Sequence, residues 1–148
     1  MSNHIAFIGV GNMGNPMAQQ LVKAGQNVKV FDVSTDVIEI AKQSGLNVIS
    51  SIEELLQGAI TVISMLPEGK HVRSLYLGDN GILKKIPKDC LIIDCSTIDI
   101  ETSLALGSEA KKIGIKMIDA PVTGGVMGAR AGKLNFLVGG TDEAVALA

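Results

Sequence analysis

Short apolar runs alternate with amphipathic stretches along the chain, and this alternation predicts strands and helices in turn. The predicted strands are residues 5–9, 28–32, 47–49, 59–66, 91–96, 116–120 and 134–140. The predicted helices lie in NMGNPMAQQLVKAG, TDVIEIAKQSG, SIEELLQG and EGKHVRSLYLG. A further long helix is capped by Asp99 and runs through Lys112. Continuous apolar strands such as TVISML are typical of a sheet that is buried on both faces. The pattern therefore predicts an α/β fold, in which a doubly wound, mostly parallel sheet carries helices on both faces.

The C-terminal stretch TDEAVALA begins like a helix and stops before any helix-ending signal. Thr141 suits the N-cap position, and Asp142 and Glu143 suit the first turn. We therefore expect residues 1–148 to form one domain, and to be a fragment that ends early in a helix.

Composition and charge narrow the range of functions. The chain is 47% hydrophobic and 19% charged, with a net charge of -2, which is the profile of a soluble globular domain. A slightly acidic chain with 3% aromatic residues lacks the basic surface and the stacking side chains that nucleic-acid binding requires. Because no apolar run reaches the roughly 18 residues of a membrane span, we expect a cytoplasmic protein without membrane contact.

The cysteine and histidine pattern does not indicate a metal site. Cys90 and Cys95 form no CxxC pair, and His4 and His71 lie far apart in the sequence. We expect the two cysteines to be small apolar residues near the strand at 91–96, with no disulfide and no bound metal.

The stretch IGVGNMG places Gly9, Gly11 and Gly14 in the GxGxxG spacing, directly after a predicted strand and at the start of a helix. In that context Gly9 permits a tight turn, and Gly11 lets the backbone approach a pyrophosphate. Gly14 lets the helix pack closely against the sheet. The helix N-terminus adds N–H groups and the positive end of a dipole. The motif therefore predicts a dinucleotide site, which also includes Val10, Asn12 and Met13.

Asp32 ends the second predicted strand, where an acidic residue accepts hydrogen bonds from the adenosine ribose of a dinucleotide. The residues that follow, Val33, Ser34 and Thr35, include no arginine that would pair with a 2′-phosphate. The sequence therefore favours NAD over NADP. The alternative is a glycine turn and a solvated aspartate in a domain that binds no nucleotide.

Several longer stretches resemble the β-hydroxyacid dehydrogenase family, and most closely its 3-hydroxyisobutyrate dehydrogenase branch. They are GVGNMGNPMAQQLVKAG, SMLPEGKHV, LGDNGIL, IDCSTID and DAPVTGGVMGARAGKLNFLVGG, in the family's order and spacing, and the resemblance extends over essentially all 148 residues. Family members oxidise a short 3-hydroxy acid to its semialdehyde by transferring hydride to a nicotinamide cofactor. Their N-terminal domain is Rossmann-like and their C-terminal domain is helical. The resemblance implies that this chain is the NAD-binding domain and that the helical domain is absent from it.

The resemblance also assigns roles to residues outside the first glycine motif. Leu66 and Pro67 would line the cofactor site after the fourth strand, and Thr97 would contact the cofactor near the nicotinamide.

The same resemblance gives a role to the second glycine-rich segment, in which Thr123, Gly124 and Gly125 would hold the substrate's carboxylate. Physical chemistry agrees, because successive N–H groups in a tight glycine turn form an anion-binding concavity. The alternative is a hairpin-like connection between the strands at 116–120 and 134–140.

The resemblance leaves the substrate open within the family. The family usually has serine where this chain has Thr123, and the added methyl group would narrow the pocket. Relatives that reduce tartronate semialdehyde share the HV of LPEGKHV, whereas GARAG is more like the hydroxyisobutyrate branch. A 6-phosphogluconate-type decarboxylating enzyme would need more basic groups than Arg130 and Lys133.

No catalytic residue is assigned within the chain. The family's catalytic lysine comes from a helix beyond Ala148, and Lys133 is expected to be a solvated loop residue. Without a positioned base for the hydroxyl proton, we expect little or no turnover from these residues alone. We expect the full-length protein to be a homo-oligomer that acts on a small 3-hydroxy acid. A nucleotide-binding module without catalysis is the competing hypothesis.

Overall fold

The computed structural model describes residues 3–148, which contain nine strands. In chain order they are β1 (His4–Ile8), β2 (Val28–Phe31), β3 (Asn47–Val48), β4 (Ala59–Ser64), β5 (Leu91–Asp94), β6 (Lys116–Asp119), β7 (Val122–Thr123), β8 (Asn135–Phe136) and β9 (Gly139–Gly140). The main sheet has the spatial order β3-β2-β1-β4-β5-β6-β9. All its pairings are parallel except that of β9 with β6, which confirms the predicted mostly parallel sheet.

Helices cover both faces of this sheet. They are α1 (Gly14–Lys23), α2 (Thr35–Gln43), α3 (Ile52–Leu56), α4 (Gly69–Leu77), α5 (Ile100–Lys112), α6 (Gly125–Ala131) and α7 (Asp142–Leu147), with a 3-10 turn at Leu83–Lys85. Residues of α3, α4 and α5 share one buried apolar cluster with β-strand residues such as Ala6 and Val62. Residues of α1, α2, α6 and α7 share the other cluster with Phe7 and Ile63. Adjacent strand residues thus enter opposite clusters, as the pleat of a doubly covered sheet requires.

Polar caps determine where two of the later helices begin. The Asp99 carboxylate accepts a hydrogen bond from the N–H of Thr102 at 2.8 Å, at the start of α5. The Thr141 hydroxyl accepts from the N–H of Ala144 at 3.2 Å, at the start of α7. Each bond satisfies a backbone donor that has no partner within its helix, so both predicted caps are confirmed.

The predicted continuous strand over residues 134–140 is wrong. The segment forms two short strands instead, because β8 pairs with β7 in a separate two-stranded sheet while β9 pairs with β6. A Cβ on Gly139 would lie 2.7 Å from Oδ1 of Asp119, and one on Gly140 would lie 2.8 Å from the Ile118 side chain. The glycine pair therefore lets β9 approach β6 more closely than other residues would allow.

The second glycine-rich segment is more than the predicted turn or hairpin-like connection, because it also contains a helix. A turn at Gly124 leads into α6, and Gly132 ends this helix in the left-handed conformation with φ of +66°. The N–H of Lys133 then donates to the carbonyl of Gly128 at 2.8 Å. This is the glycine-ended arrangement that commonly closes helices. Lys133 itself is exposed after that helix end, as expected of a solvated residue.

Candidate cofactor site

A groove of about 650 Å³ lies against the turns that follow β1, β2 and β4, and α4 forms part of its wall. The order of the main sheet reverses between β1 and β4, and the carboxyl ends of these parallel strands share one edge. Ligands of open α/β sheets bind in the crevice at such a reversal. The predicted cofactor residues that line the groove are Gly9, Gly11, Asn12, Met13, Gly14, Asp32, Leu66 and Pro67.

The close packing of the turn after β1 explains two of the three motif glycines. Gly9 has a φ of +92°, and a Cβ there would collide with the carbonyl oxygen of Met65. A Cβ on Gly14 would collide with the carbonyl oxygen of Gly9 and would lie 3.2 Å from the ring of Phe7. Without side chains at these positions, α1 begins directly against the end of β1, as the sequence predicts.

Gly11 has no such packing requirement. Within the part of the chain that the structure describes, no heavy atom lies within 4 Å of a Cβ placed on Gly11, apart from its immediate neighbours. A ligand that approaches the backbone is therefore a better reason for this glycine than packing is. Beside it, Met13 and Gly14 at the N-terminus of α1 line the groove. This arrangement fits the pyrophosphate of a dinucleotide, which a helix N-terminus attracts.

The carboxylate of Asp32 holds the glycine turn in place. One of its oxygens accepts a hydrogen bond from the N–H of Val10 at 2.9 Å, and the other accepts from the N–H of Ser34 at 3.0 Å. An ionised carboxylate offers about four acceptor positions, so further hydrogen bonds from a ribose diol remain possible. The Val10 side chain is buried and its N–H is used within the protein, so of the predicted cofactor residues it is the least available to a ligand.

Thr97 is exposed on the turn after β5, outside the lining of the groove. The preceding residue connects this turn to the groove, because Ser96 Oγ accepts a hydrogen bond from the N–H of Leu66 at 2.8 Å. Leu66 lies on the turn after β4, and β4 and β5 are neighbours in the sheet. The structure thus places Thr97 beside the groove wall formed by Leu66 and Pro67.

A buried polar network underlies this wall. Asp94 is 1% exposed, and its Oδ1 accepts hydrogen bonds from the hydroxyls of Ser64 at 2.9 Å and Ser96 at 2.7 Å. The hydroxyl of Tyr76, on α4, donates to Ser64 Oγ at 2.8 Å. Burial raises the pKa of Asp94, and nearby Asp119 adds to the increase, while the hydrogen bonds from Ser96 and Ser64 oppose it. Burial likewise raises the pKa of Tyr76, so its hydroxyl stays protonated and available as a donor.

The two cysteines are buried, as expected of small apolar residues beside a strand, and both are free thiols. Burial raises the pKa of Cys90 to about 11 and that of Cys95 to about 12. Both thiols are therefore protonated near neutral pH, in the form that is neither nucleophilic nor metal-binding. Residues 3–148 contain no group of three or more His, Cys, Asp or Glu side chains arranged to hold a metal ion. The same residues contain no helix with the length and apolar character needed to cross a membrane.

The second glycine-rich segment lies at the same edge of the sheet, after β6. Thr123, Gly124 and Gly125 are all exposed. Gly124 and Gly125 have φ of +127° and +63°, backbone conformations that other residues adopt only with strain. Within the described residues, no side chain hydrogen-bonds to the N-terminus of α6 as a cap. The segment thus presents a threonine and a glycine turn to solvent.

Comparison with known proteins agrees with this geometry. Residues 4–148 match the family defined by the NAD-binding domain of 6-phosphogluconate dehydrogenase. The chain belongs to this NAD-binding family.

Relatives of this NAD-binding domain include 3-hydroxyisobutyrate dehydrogenase from Pseudomonas aeruginosa, which is 49% identical over 144 residues, or 97% of this chain and 48% of that protein. NAD-dependent L-serine dehydrogenase from the same organism is 45% identical over 141 residues, or 95% of this chain and 47% of that protein. The solved structure of Mycobacterium tuberculosis 3-hydroxyisobutyrate dehydrogenase with L-serine has a TM-score of 0.91 and 39% identity, covering 99% of this chain and 50% of that one. The chain therefore spans about half the length of these relatives, and the resemblance seen in the sequence is confirmed.

The structure adds residues to the lining of the groove that the sequence did not predict. On α4 these are His71, Ser74 and Leu75. Val33, next to Asp32, is also part of the lining and is 88% exposed. Its position directly after Asp32 is the sequence signal that could have identified Val33. The α4 residues could not be found by motif, because their place in the groove depends on how α4 packs across the turn after β4.

Alanine substitutions at two motif glycines should separate packing from ligand binding. We expect Gly14→Ala to destabilise the NAD-binding domain by about 1–3 kcal/mol, because the new Cβ meets backbone that cannot move away. Gly11→Ala should change the free energy of unfolding by less than about 1 kcal/mol and should weaken NADH binding at least about tenfold. Urea unfolding and NADH fluorescence titration measure the two effects. Equal losses of stability in both variants would contradict this division of roles.

The pH dependence of stability should reveal the buried carboxylate of Asp94. Because the folded-state pKa lies above the ordinary value of 3.8, the folded domain binds the proton more tightly than the unfolded chain does. This carboxyl group therefore contributes increasing stability as pH falls through its folded-state pKa towards 3.8. Asp94→Asn removes that contribution and leaves the other titrating groups in place.

We accordingly expect the free energy of unfolding of the wild type, relative to Asp94→Asn, to increase from about pH 7 to about pH 4. Urea unfolding at several pH values measures the difference. A difference that stays constant, or that shrinks at low pH, would show that the pKa of Asp94 is not raised.

Proposed function

We propose that this chain is the cofactor-binding half of an NAD-dependent dehydrogenase that oxidises 3-hydroxyisobutyrate to its semialdehyde. The observation that carries the proposal is the groove at the point where the strand order reverses, between β1 and β4. In this groove the backbone of Gly11 is open to a ligand, and Asp32 is part of the lining. The family match over residues 4–148 supports NAD as the ligand. The nicotinamide ring, when bound, supplies the hydride acceptor, and the residues of this chain bind and orient it.

The placement of the groove residues gives the dinucleotide a direction. β2, which ends before Asp32, lies on one side of β1, whereas β4 and β5 lie on the other side. Asp32 would bind the adenosine ribose, and the turn at Gly11 would bind the pyrophosphate. The nicotinamide would then lie towards Leu66, Pro67 and Thr97.

The segment Thr123–Gly125 is the proposed site for the substrate's carboxylate. It follows β6, which pairs with β5, so it lies on the nicotinamide side of the groove. An exposed glycine turn beside a threonine suits a carboxylate, because the N–H groups of such a turn and the hydroxyl would together donate several hydrogen bonds. A fixed carboxylate would orient the carbon that loses hydride towards the nicotinamide and lower the entropic part of the barrier.

L-serine is a second candidate substrate, because an L-serine dehydrogenase is among the relatives. Both acids carry a hydroxymethyl group and a carboxylate on one carbon, and they differ in a methyl group against an ammonium group. The proposed carboxylate site would bind either acid, so the preference between the two substrates depends on the groups that contact the methyl or ammonium substituent of the second carbon. Tartronate semialdehyde reduction remains the further alternative from the sequence.

The proton of the substrate hydroxyl requires a base that this chain is not proposed to supply. The resemblance assigns that role to a lysine in the second half of the full-length protein. The relatives are about twice as long as this chain, which is consistent with that division of labour. Homo-oligomer formation and a cytoplasmic location remain predictions.

Turnover measurements on the full-length protein test the proposed activity. We expect NADH formation with 3-hydroxyisobutyrate, with a kcat/KM above that for L-serine and 3-hydroxypropionate. A higher kcat/KM for L-serine would support the second candidate. NADH binding without turnover of any of these acids would favour the module without catalysis.

Asp32 should determine the preference for NAD. Its carboxylate would bind the free ribose diol and repel the 2′-phosphate of NADP, so the wild type should bind NAD more tightly. Asp32→Ala should weaken NAD binding and reduce the preference, with Asp36→Ala, on the exposed start of α2, as the control. Calorimetry that finds tighter binding of NADP than of NAD to the wild type would contradict the assignment.

Thr123 should affect the acid and leave the cofactor unaffected. Removing one hydrogen bond to a charged group costs about 1.5–3 kcal/mol, so Thr123→Ala should lower kcat/KM for the hydroxy acid by about ten- to a hundredfold. Gly124→Ala should do the same by straining a turn with φ of +127°. The NAD dissociation constant should stay nearly unchanged in both variants.

Thr141→Ala, which removes a threonine hydroxyl at the cap of α7, is the matched control and should leave kcat/KM close to that of the wild type. Loss of NAD binding in Thr123→Ala, with use of the acid otherwise intact, would assign this segment to the cofactor.

A further inference from the structure

The hydrogen bonds around Asp94 form a chain with a fixed direction. Ser64 Oγ accepts a hydrogen bond from the Tyr76 hydroxyl, and the Ser64 hydroxyl in turn donates a hydrogen bond to Asp94. Ser96 Oγ accepts a hydrogen bond from the N–H of Leu66, and the Ser96 hydroxyl also donates a hydrogen bond to Asp94. A carboxylate only accepts, so it determines the orientation of both serine hydroxyls. Because the Ser96 hydroxyl points its hydrogen at Asp94, its oxygen lone pairs are left facing the N–H of Leu66. The buried carboxylate thus orients the acceptor that holds Leu66.

The network joins three segments that meet at one side of the groove. Leu66 is on the turn after β4, and Ser96 is on the turn after β5, next to Thr97. Tyr76 is on α4, and the adjacent Leu75 lines the groove. None of the network's side chains is itself in the groove lining that the structure describes, so any effect on a ligand is indirect.

These segments lie on the side of β1 opposite to Asp32. The end of the groove that the adenosine would occupy is held separately, by the hydrogen bonds that the N–H groups of Val10 and Ser34 donate to Asp32. The two ends of the groove therefore have separate polar supports: the half-buried Asp32 at one end and the buried network around Asp94 at the other.

We propose that Asp94 and Ser96 are positioning residues for the nicotinamide half of the cofactor, because together they fix the turn at Leu66 and the turn that carries Thr97. This inference rests on the proposed function and assigns a role to two buried residues that contact no ligand themselves. Its consequence is selective: disturbing the network should weaken binding of the nicotinamide half and spare the adenosine half.

A purely structural role makes a different prediction. If the network only stabilised the fold, its loss would weaken both halves equally, in proportion to the folded protein lost. ADP-ribose separates the possibilities, since it carries the adenosine, the pyrophosphate and both riboses but lacks the nicotinamide. Binding of NADH and of ADP-ribose by the same variant therefore reports on the two halves of the groove.

The variant to test is Ser96→Ala, which removes the acceptor for Leu66 and one donor to Asp94 while leaving the carboxylate in place. Ile92→Val is the matched control, because it trims a fully buried side chain of the same strand, β5, outside the network. Dissociation constants for NADH and ADP-ribose are measured by calorimetry on the 148-residue chain, with thermal unfolding of each variant as a check of folding.

We expect Ser96→Ala to weaken NADH binding by about tenfold and ADP-ribose binding by less than about twofold, with both constants unchanged in Ile92→Val. Asp94→Asn retains an oxygen acceptor, so its dissociation constant for NADH should lie between those of the wild type and Ser96→Ala. Equal losses for the two ligands, or no loss for either, would overturn the inference. If the wild type bound neither NADH nor ADP-ribose, the proposed function would fail and the inference with it. If the wild type bound both ligands, the proposed cofactor site would stand, and the comparison of variants would test the inference alone.

Discussion

The close approach of α1 to the end of β1 is the constraint on which the rest of the site depends. It is possible because Gly14 presents no Cβ to the carbonyl oxygen of Gly9, and because Gly9 adopts a left-handed conformation against Met65. Backbone packed this closely to backbone leaves little freedom to the turn between them. The N-terminus of α1 is thereby aimed at the sheet's reversal, where two further turns complete a groove.

The main sheet and its helices could be predicted from the sequence because each element carries its own local signal. Apolar runs gave β1, β4 and β5, and side-chain caps at Asp99 and Thr141 gave the starts of α5 and α7. The first glycine motif was informative for the same reason, since spacing, preceding strand and following helix occur together within a few residues. Family resemblance then supplied what spacing alone does not, such as a role for Thr123.

Errors arose where the structure depends on distant partners. The stretch from Leu134 to Gly140 looks like one strand, yet β8 and β9 pair with different strands that the sequence does not identify. The helix α6 was missed because its glycines suggested a loop, although Gly132 is a typical helix-ending residue. The network around Asp94 was also beyond prediction, since it joins residues up to 30 positions apart. Such contacts exist only once the sheet has brought β4 next to β5.

The two hydrogen bonds that Asp32 accepts have a consequence for the evolution and redesign of cofactor preference. Exchanging an acidic residue for a neutral or basic one is the obvious route from NAD to NADP. Here the same carboxylate also anchors the N–H groups of Val10 and Ser34, so the exchange would release the glycine turn and the start of α2 together. A successful switch would need a replacement acceptor for those N–H groups as well as a cation for the new phosphate. Lineages that change cofactor should therefore do so through paired substitutions, with the structural replacement accepted first.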